Sequence, residues 1–389
     1  MRKKIYYILS TCSNLEATSG DRINEMNVIR ALCINFDVYY NNILVDPTSS
    51  YFGSLDGQIE PPNQKYDLYY VRANKDLFLK LPSPKIWFVV PYVPECYAEA
   101  DAVVCITSAW KDRMQALKHD FILQELMGIG DQVIVPGKKY ITFPQVIDPI
   151  FFKNKDEDKI RFYKEQYASD FVCGHMGRLV KSNFPWHLQY AIKNYIPNLD
   201  IKYIFYGPKN MDLPNNFHSM KKIPMHDVPE ALSAFDISVN SSNNWTNLCG
   251  QLKVLEAAAC GVPVLSPHSL ARYDDLGRDY PFYWNFSAET HNRIQNNDTD
   301  IFTREPCSST SAKQPLIYRL LNKKVKYNRE KSFSIFEKES NELGYLIKAL
   351  YLDKSYREEI GKSLMKQAKK HSVENISKIL VEELSMVIK

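Results

Sequence analysis

The sequence predicts an α/β protein built from two doubly wound parallel sheets. Short apolar runs alternate with segments of helical periodicity along most of the chain, a pattern typical of parallel sheets. The length of 389 residues suits two domains of roughly 150 to 200 residues better than one. Residues 250–265 join a glycine loop, a short helix and a buried strand, as a parallel sheet requires.

Composition and charge narrow the class of protein. Hydrophobic residues make up 45% of the chain and charged residues 24%, which suits sizeable cores. The net charge of +4 does not by itself indicate a polyanion-binding protein. The 8 cysteines lack paired or CxxC spacing, so we expect reduced thiols, no zinc site and a cytoplasmic protein. No apolar run reaches the ~20 residues of a membrane span, so we expect any membrane contact to be peripheral.

The first half of the chain has the alternation of one doubly wound domain. Strands are predicted for the apolar or β-branched runs 5–9, 36–40, 66–71, 86–90, 102–107, 133–135 and 140–143. Apolar residues recur at helical spacing from Ile23 onward, so a helix begins just after Gly20. Either a phosphate rests at this helix N-terminus or Gly20 only relieves a tight turn. Ser108 is placed to cap a later helix.

A change in composition after Pro149, to a segment rich in charged residues, predicts the domain boundary. Acids and lysines alternate over residues 148–165, which we interpret as a linker. We predict an acceptor-binding domain over residues 1–155 and a nucleotide-sugar-binding domain over residues 156–365. The second domain contains an irregular insertion over residues 285–334. Residues 366–389 form a C-terminal helix that either stays apart or packs back on the first domain. Ser372 is placed to cap the last helix.

The second half repeats the alternation. Strands are predicted for 171–176, 201–206, 235–239 and 262–265, and helices for 186–196, from Val228, and after Gly250. Gly250 can let a ligand approach the backbone, and Leu252 and Leu255 give the next helix an apolar face with Glu256 on another. The start of that helix suits a phosphate and Glu256 suits sugar hydroxyls. The alternative is an ordinary α/β connection with an exposed glutamate.

Four blocks of sequence occur in a fixed order. They are Ser19-Gly20-Asp21-Arg22, residues 102–110, Gly177-Arg178-Leu179-Val180-Lys181, and residues 253–264. In these blocks the chain resembles the retaining GT-B glycosyltransferases of family 4, over most of residues 1–280 and roughly 340–389. The resemblance implies a GT-B fold with two Rossmann-like domains facing a central cleft. It also implies a nucleotide-sugar donor as substrate, with no cofactor and no metal.

The resemblance implies roles for individual residues. In the family, an arginine matched by Arg178 and a nearby lysine hold the donor diphosphate and stabilise charge on the leaving group. Asn183 occupies the usual lysine position, so Lys181 is either its substitute or a solvated loop lysine. Glu256 matches the glutamate that binds the ribose. Leu248 stands in place of a second glutamate near the donor sugar.

The missing glutamate assigns the sugar-facing role to other groups. We expect the backbone and side chains of Cys249, Gly250 and Gln251 to take it, and the backbone near Met225 to contact the nucleobase. Gly20 in the first domain is also expected to bind the donor. These are implications of the family resemblance.

Other charged motifs carry less weight. Asp298 and Asp300 form a DxD pattern without a flanking strand, so a solvated turn is favoured over a metal site. The lysines at 323–326 and 366–370 are interpreted as solvated faces, with anionic lipid or a phosphorylated acceptor as the alternative.

The sequence therefore predicts a cytoplasmic, metal-independent glycosyltransferase, either free or peripheral to the inner face of the membrane. Its acceptor is expected to be a glycan or a lipid-linked oligosaccharide of a polysaccharide pathway, and retention of configuration is implied by the resemblance alone. A catalytically weak nucleotide-sugar-binding relative is one alternative. A GT-B enzyme that glycosylates modified DNA bases is another, although the basic groove that nucleic acid needs is not evident.

Overall fold

The computed structural model describes residues 2–8, 20–48, 59–72, 74–89, 93–116, 138–177, 184–207, 216–240, 250–287 and 316–388. The chain divides into two compact units. The first unit comprises Met1–Lys153, Leu248–Leu255 and Gln367–Lys389, and the second unit comprises Asn154–Asn247 and Glu256–Lys366.

Strands and helices alternate through both units. The strands are β1 (Lys4–Ile8), β2 (Asp37–Tyr40), β3 (Ile43–Leu44), β4 (Leu68–Val71), β5 (Lys85–Phe88), β6 (Ala102–Cys105), β7 (Tyr140–Thr142), β8 (Val172–Met176), β9 (Lys202–Tyr206), β10 (Phe217–Met220), β11 (Ile237–Val239), β12 (Val264–Pro267) and β13 (Tyr283–Trp284). The α-helices are α1 (Gly20–Cys33), α2 (Lys75–Lys80), α3 (Pro94–Glu99), α4 (Ser108–Ala116), α5 (Glu157–Tyr167), α6 (Trp186–Asn194), α7 (Val228–Ser233), α8 (Leu252–Ala259), α9 (Leu270–Leu276), α10 (Leu316–Leu352), α11 (Lys354–Ala368) and α12 (Val373–Ser385).

The first unit contains a seven-stranded sheet with the strand order β3-β2-β1-β4-β5-β6-β7. β3 pairs antiparallel with β2, and the other described pairs are parallel. Strands β4, β5 and β6 are buried throughout, as expected of a parallel sheet covered on both faces. The strand order reverses between β1 and β4, so the topological switch point of this sheet lies there.

The last helix of the chain belongs to the first unit. α12 contacts α1, and Asn35 Nδ2 donates to Ser377 Oγ at 2.6 Å. The apolar side chains that α12 buries are Val373, Ile376, Leu380 and Leu384. Ser372 caps this helix as predicted, because its hydroxyl accepts from the backbone N–H of Asn375.

The second unit contains a six-stranded sheet with the order β10-β9-β8-β11-β12-β13, and its described pairs are all parallel. Its switch point lies between β8 and β11. Both sheets are therefore doubly wound, as the sequence predicts. Every predicted strand within the described residues is present to within two residues at each end, and the run 133–135 lies outside them.

Two glycines allow close approaches within the second unit. A Cβ on Gly174 in β8 would lie 2.0 Å from the ring of Phe235. A Cβ on Gly361 in α11 would lie 2.1 Å from the carbonyl oxygen of Gly261, which ends α8 with a φ of 75°. α11 therefore lies directly against the turn that leads from α8 to β12.

The structure corrects two predictions about irregular segments. The predicted linker 148–165 contains most of α5, because Asp156 caps that helix and its charged residues surround two buried tyrosines, Tyr163 and Tyr167. The predicted irregular insertion 285–334 becomes α10 from Leu316 onward, while residues 288–315 lie outside the described chain.

Smaller differences concern caps and edge strands. Thr107, and not Ser108, caps α4, since its hydroxyl accepts from the Trp110 N–H at 3.1 Å. The short strands β3, β10 and β13 lie at or next to sheet edges and have no predicted counterpart. In the described part of the chain, no helix is both long and apolar enough to cross a membrane.

Candidate functional site

The candidate catalytic residues follow the carboxyl end of β8. β8 ends at Met176, and the N–H of Gly177 donates to the carbonyl of Tyr206 at 2.8 Å. Gly177 has a φ of 124°, which side chains rarely adopt, so a glycine is needed where the chain leaves the sheet. Arg178 and Lys181 come next in the sequence and lie outside the described residues.

Asn240 directly follows the neighbouring strand β11. Its N–H donates to the carbonyl of Leu265 at 3.0 Å, and its side chain is buried. Nδ2 lies 3.4 Å from Ser238 Oγ, and Oδ1 has no hydrogen-bond partner among the described residues. A buried acceptor without a partner is unfavourable, and a ligand bound at this switch point could donate a hydrogen bond to it. Sequence reasoning missed Asn240, although a polar residue that ends an apolar strand was a visible signal.

The glycine loop with Gly250 lies directly before α8. Gly250 is buried and has a φ of 70°, so a side chain here would strain the backbone. The carbonyl of Gln251 accepts from the Val254 N–H at 2.9 Å, and its Oε1 is buried without a partner among the described residues. Leu248 and Cys249 lie outside the described chain.

Glu256 is only 8% exposed. The helix that carries it is buried on nearly every side, and not on the one apolar face that its spacing predicts; its buried members are Leu252, Val254, Leu255, Ala257, Ala258 and Ala259. The glutamate of this connection is therefore buried and not exposed, and its role in a ligand site stays a prediction.

The two remaining candidates occupy other positions. Met225 starts a short 3-10 helix after β10 and is 38% exposed, so it follows an edge strand of the second sheet. Gly20 is the first residue of α1 in the first unit, so this helix begins one residue earlier than predicted.

The described residues contain no group of three or more His, Cys, Asp or Glu side chains that could hold a metal ion. Asp298 and Asp300 lie outside those residues, so metal independence stays a prediction.

The described cysteines are free thiols, at positions 33, 96, 105, 173 and 260. Burial raises the pKa of Cys33 to about 11 and that of Cys260 to about 12. These two thiols are protonated at neutral pH and are therefore poor nucleophiles.

Comparison with known proteins found one family match and several similar folds. Residues 188–299, which include β11 and α8, match a family described as glycosyl transferase-like. The chain is similar to the structure of Anabaena Alr3699/HepE in complex with UDP, with 13% identity, 99% of this chain and 100% of that chain covered, and a TM-score of 0.58. It is similar to the trehalose-6-phosphate synthase OtsA, with 8% identity, 99% of both chains covered and a TM-score of 0.56.

A third similar structure, from E. coli, is described as trehalose-6-phosphate bound with UDP-2-fluoro glucose, with 9% identity, 99% of both chains covered and a TM-score of 0.52. No curated protein matches the sequence. At these identities the similarity shows the fold, which is the GT-B arrangement of two Rossmann-like domains that the sequence predicts.

Proposed function

We propose that the protein is a glycosyltransferase that uses a nucleotide sugar, with a UDP sugar as the leading candidate. The observation that carries the proposal is the switch point of the second sheet. Arg178 and Lys181 follow β8 in the sequence, and Gly250, Gln251 and Glu256 come after β11; the strand order reverses between these two strands. The glycosyl transferase-like match and the UDP named for HepE support the choice of substrate.

The proposed chemistry breaks the bond between the anomeric carbon and the diphosphate oxygen. The nucleoside diphosphate leaves with the bonding electrons, and an acceptor hydroxyl forms the new bond to the anomeric carbon and loses its proton. Arg178 and Lys181 would supply fixed positive charge where negative charge grows on the leaving group. Their cations would do this without a metal.

The other candidates would bind the donor in parts. Glu256 would accept from the ribose hydroxyls, Gly250 and Gln251 would contact the diphosphate and sugar, and the backbone near Met225 would contact the base. Gly20 at the start of α1 would also contact the donor, and the first unit would take the acceptor, a glycan or lipid-linked oligosaccharide. Retention of configuration is proposed from the family resemblance.

A nucleotide titration tests the donor assignment. UDP, GDP and ADP are compared by thermal shift and calorimetry, with uridine as the control that lacks the diphosphate. We expect UDP to stabilise the fold by ~2.7 kcal/mol at a hundred times its dissociation constant. Stabilisation by ADP or GDP in place of UDP would change the proposed nucleobase of the donor. If none of the three diphosphates stabilised the protein, the proposed donor site would be rejected.

A chelator tests the metal-independent chemistry. We expect turnover of the donor to survive EDTA, since the proposed cations belong to the protein. Loss of the rate with EDTA and its return with manganese would redirect attention to Asp298 and Asp300.

A catalytically weak nucleotide-sugar-binding relative is the second candidate. Leu248 and Asn183 favour it, because both stand where the resembling family has charged residues. Slow hydrolysis of UDP-glucose in the absence of an acceptor would argue for an active enzyme.

A further inference from the structure

A row of polar residues crosses the carboxyl end of the second sheet. Val239 of β11 lies opposite Leu265 of β12, so one step further along the pair Asn240 lies beside Ser266. Neighbouring strands are about 4.8 Å apart and paired residues share a face, so these two side chains are neighbours on one face of the sheet. β11 also borders the switch point, and ligands of open parallel sheets bind beyond the carboxyl ends of the strands there.

His268 extends this row outward. The parallel ladder of β12 with β13 continues as far as His268, whose N–H donates to the carbonyl of Trp284 at 3.1 Å. Side chains alternate along a strand, so His268 and Ser266 lie on the same face. The ring of His268 packs against Tyr283, which pairs with Ser266, with 5.1 Å between the ring centroids. Ser266 is buried and His268 is exposed, so the row leads from the interior of the unit to solvent.

Three polar atoms of this row have no hydrogen-bond partner among the described residues. Ser266 is 0% exposed, and its Oγ is one of these atoms. Asn240 is 1% exposed, and its Nδ2 lies 3.4 Å from Ser238 Oγ, whereas Oδ1 is left without a partner. The hydroxyl of Tyr273 holds His268 Nδ1 at 2.9 Å, which leaves Nε2. Buried polar groups without a partner are rare and costly, so we expect a further group to complete the row.

The chemistry of these atoms selects a hydroxyl as that group. Asn240 and Ser266 carry no charge, so they do not select an ion. The serine hydroxyl donates or accepts, and the imidazole nitrogen does either according to its tautomer. A sugar hydroxyl is donor and acceptor at once and therefore matches all three atoms. An ionised phosphate or carboxylate has no proton to donate to the amide oxygen.

We propose that Asn240, Ser266 and His268 form a subsite for hydroxyl groups of the transferred sugar, which is a neutral hexose. The inference deepens the proposed function and rests on it, since it names the class of sugar that the donor carries. Asn240 and Ser266 bind the hydroxyl that lies deepest, and His268 binds one nearer to solvent. Tyr273 is a positioning residue that holds the imidazole.

Nucleotide binding measured with and without the sugar tests the subsite. UDP, UDP-glucose, UDP-galactose, UDP-glucuronate, GDP and GDP-mannose are titrated by calorimetry against the whole chain. The quantity compared is the dissociation constant of a nucleotide sugar divided by that of its free diphosphate, which we call the sugar ratio. Loss of a contact to the sugar should raise the sugar ratio of a neutral hexose ~3- to 10-fold, the scale of one neutral hydrogen bond.

Three variants each remove one member of the row. Ser266→Ala deletes an atom that has no partner in the free protein, so the melting temperature should stay the same or rise while the sugar ratio increases. A serine with only a structural role would not show this combination. Asn240→Leu keeps the volume and removes the amide. His268→Phe keeps a ring against Tyr283 and removes Nε2, and because His268 is exposed this variant should fold even if the two buried ones do not.

Two residues of the same unit supply matched controls. His218 and Ser219 are exposed on β10, the edge strand at the opposite end of the second sheet from β12 and β13. His218→Phe and Ser219→Ala make the same chemical changes away from the row. Both should leave the sugar ratio unchanged.

The outcomes separate this inference from the proposed function. A wild type that binds no diphosphate and no nucleotide sugar defeats the proposed function, and the subsite with it. A wild type that binds UDP or GDP but no neutral nucleotide sugar overturns the subsite alone. Unchanged sugar ratios in His268→Phe and Ser266→Ala also overturn it, and a destabilised Ser266→Ala would then indicate an internal water instead. A sugar ratio that is lowest for UDP-glucuronate overturns the choice of a neutral hexose.

Discussion

Arg178 follows β8 by two positions in the sequence, where the donor diphosphate is proposed to lie. Because its partner gains charge only as the bond breaks, Arg178→Ala should lower the rate ~10²-fold or more with little effect on folding. Single-turnover rates measure the loss of activity, and the melting temperature shows whether the variant folds as stably as the wild type. Arg161→Ala is the control, since that arginine is exposed on α5. An unchanged rate would place the diphosphate elsewhere.

Glu256 is proposed to bind the ribose, which is remote from the bond that breaks. Its contribution should be nearly equal in the ground and transition states. Glu256→Gln should therefore raise the donor KM about ten-fold, leave kcat less affected, and weaken free UDP in parallel. Calorimetry with UDP measures the last effect, with the exposed Glu358→Gln as control. Unchanged UDP affinity in Glu256→Gln would show that Glu256 does not bind the donor.

Individual residues were predictable where the reason is local. Gly250 is such a case, because the need for a flexible backbone is visible beside a helix start, and its positive φ agrees. Asn240 was not singled out, because its position at a switch point depends on which strands become neighbours. The polar residue after an apolar strand is visible in the sequence, but the neighbour that β11 acquires depends on the whole sheet.

A buried pair joins two helices of the second unit. His187 Nε2 on α6 lies 2.9 Å from Glu339 Oε2 on α10, beside the rings of Trp284 and Phe336. Burial raises the pKa of Glu339 to about 8 and lowers that of His187 to about 3. These shifts leave both groups neutral near pH 7, and the direction of their hydrogen bond depends on the imidazole tautomer. The contact is a neutral hydrogen bond rather than an ion pair.

This pair predicts how stability depends on pH. The folded state prefers protonated Glu339, so the free energy of unfolding falls as the pH rises from about 4.5, the ordinary pKa, through about 8. It prefers neutral His187, so stability also falls as the pH drops from about 6.5 toward 3. Between pH 6.5 and 8 only the loss from Glu339 operates. Glu339→Gln should remove that loss, because an amide can still donate to the imidazole without ionising.

Denaturant unfolding at pH 6.5, 7.5 and 8.5 measures this difference. The wild type should lose stability relative to Glu339→Gln as the pH rises, whereas the exposed Glu358→Gln should follow the wild type. Parallel curves for the wild type and Glu339→Gln would show that Glu339 is already ionised at pH 6.5.

Helices and strands were predictable where the apolar residues follow one clear periodicity along the sequence. Apolar runs identified the central strands, whose side chains are buried on both faces. α5 was missed because its many charges conceal Tyr163 and Tyr167, four positions apart on one face. β13 has two residues, too few for any period to show.

The fold class of the whole chain was predictable from the sequence, but the packing partner of the last helix was not. Alternating strands and helices fix two doubly wound sheets, because parallel strands need crossover helices. The contact between Asn35 and Ser377 joins positions 342 residues apart, and no local pattern indicates which unit a terminal helix will join. The sequence left that choice open, and the packing of α12 on α1 resolves it.

The last helix is expected to be necessary for the first unit. Burial of Ile376, Leu380 and Leu384 contributes roughly 1.5 to 3 kcal/mol for each side chain, and a typical domain is stable by only about 5 to 15 kcal/mol. A chain that ends at His371 should therefore lose hydrogen-exchange protection in β1, β2 and α1, while β8 and β9 keep theirs. Val381→Ala is the control, because that residue of α12 is 37% exposed. Full protection of β1 in the shortened chain would show that α12 covers the first sheet without stabilising it.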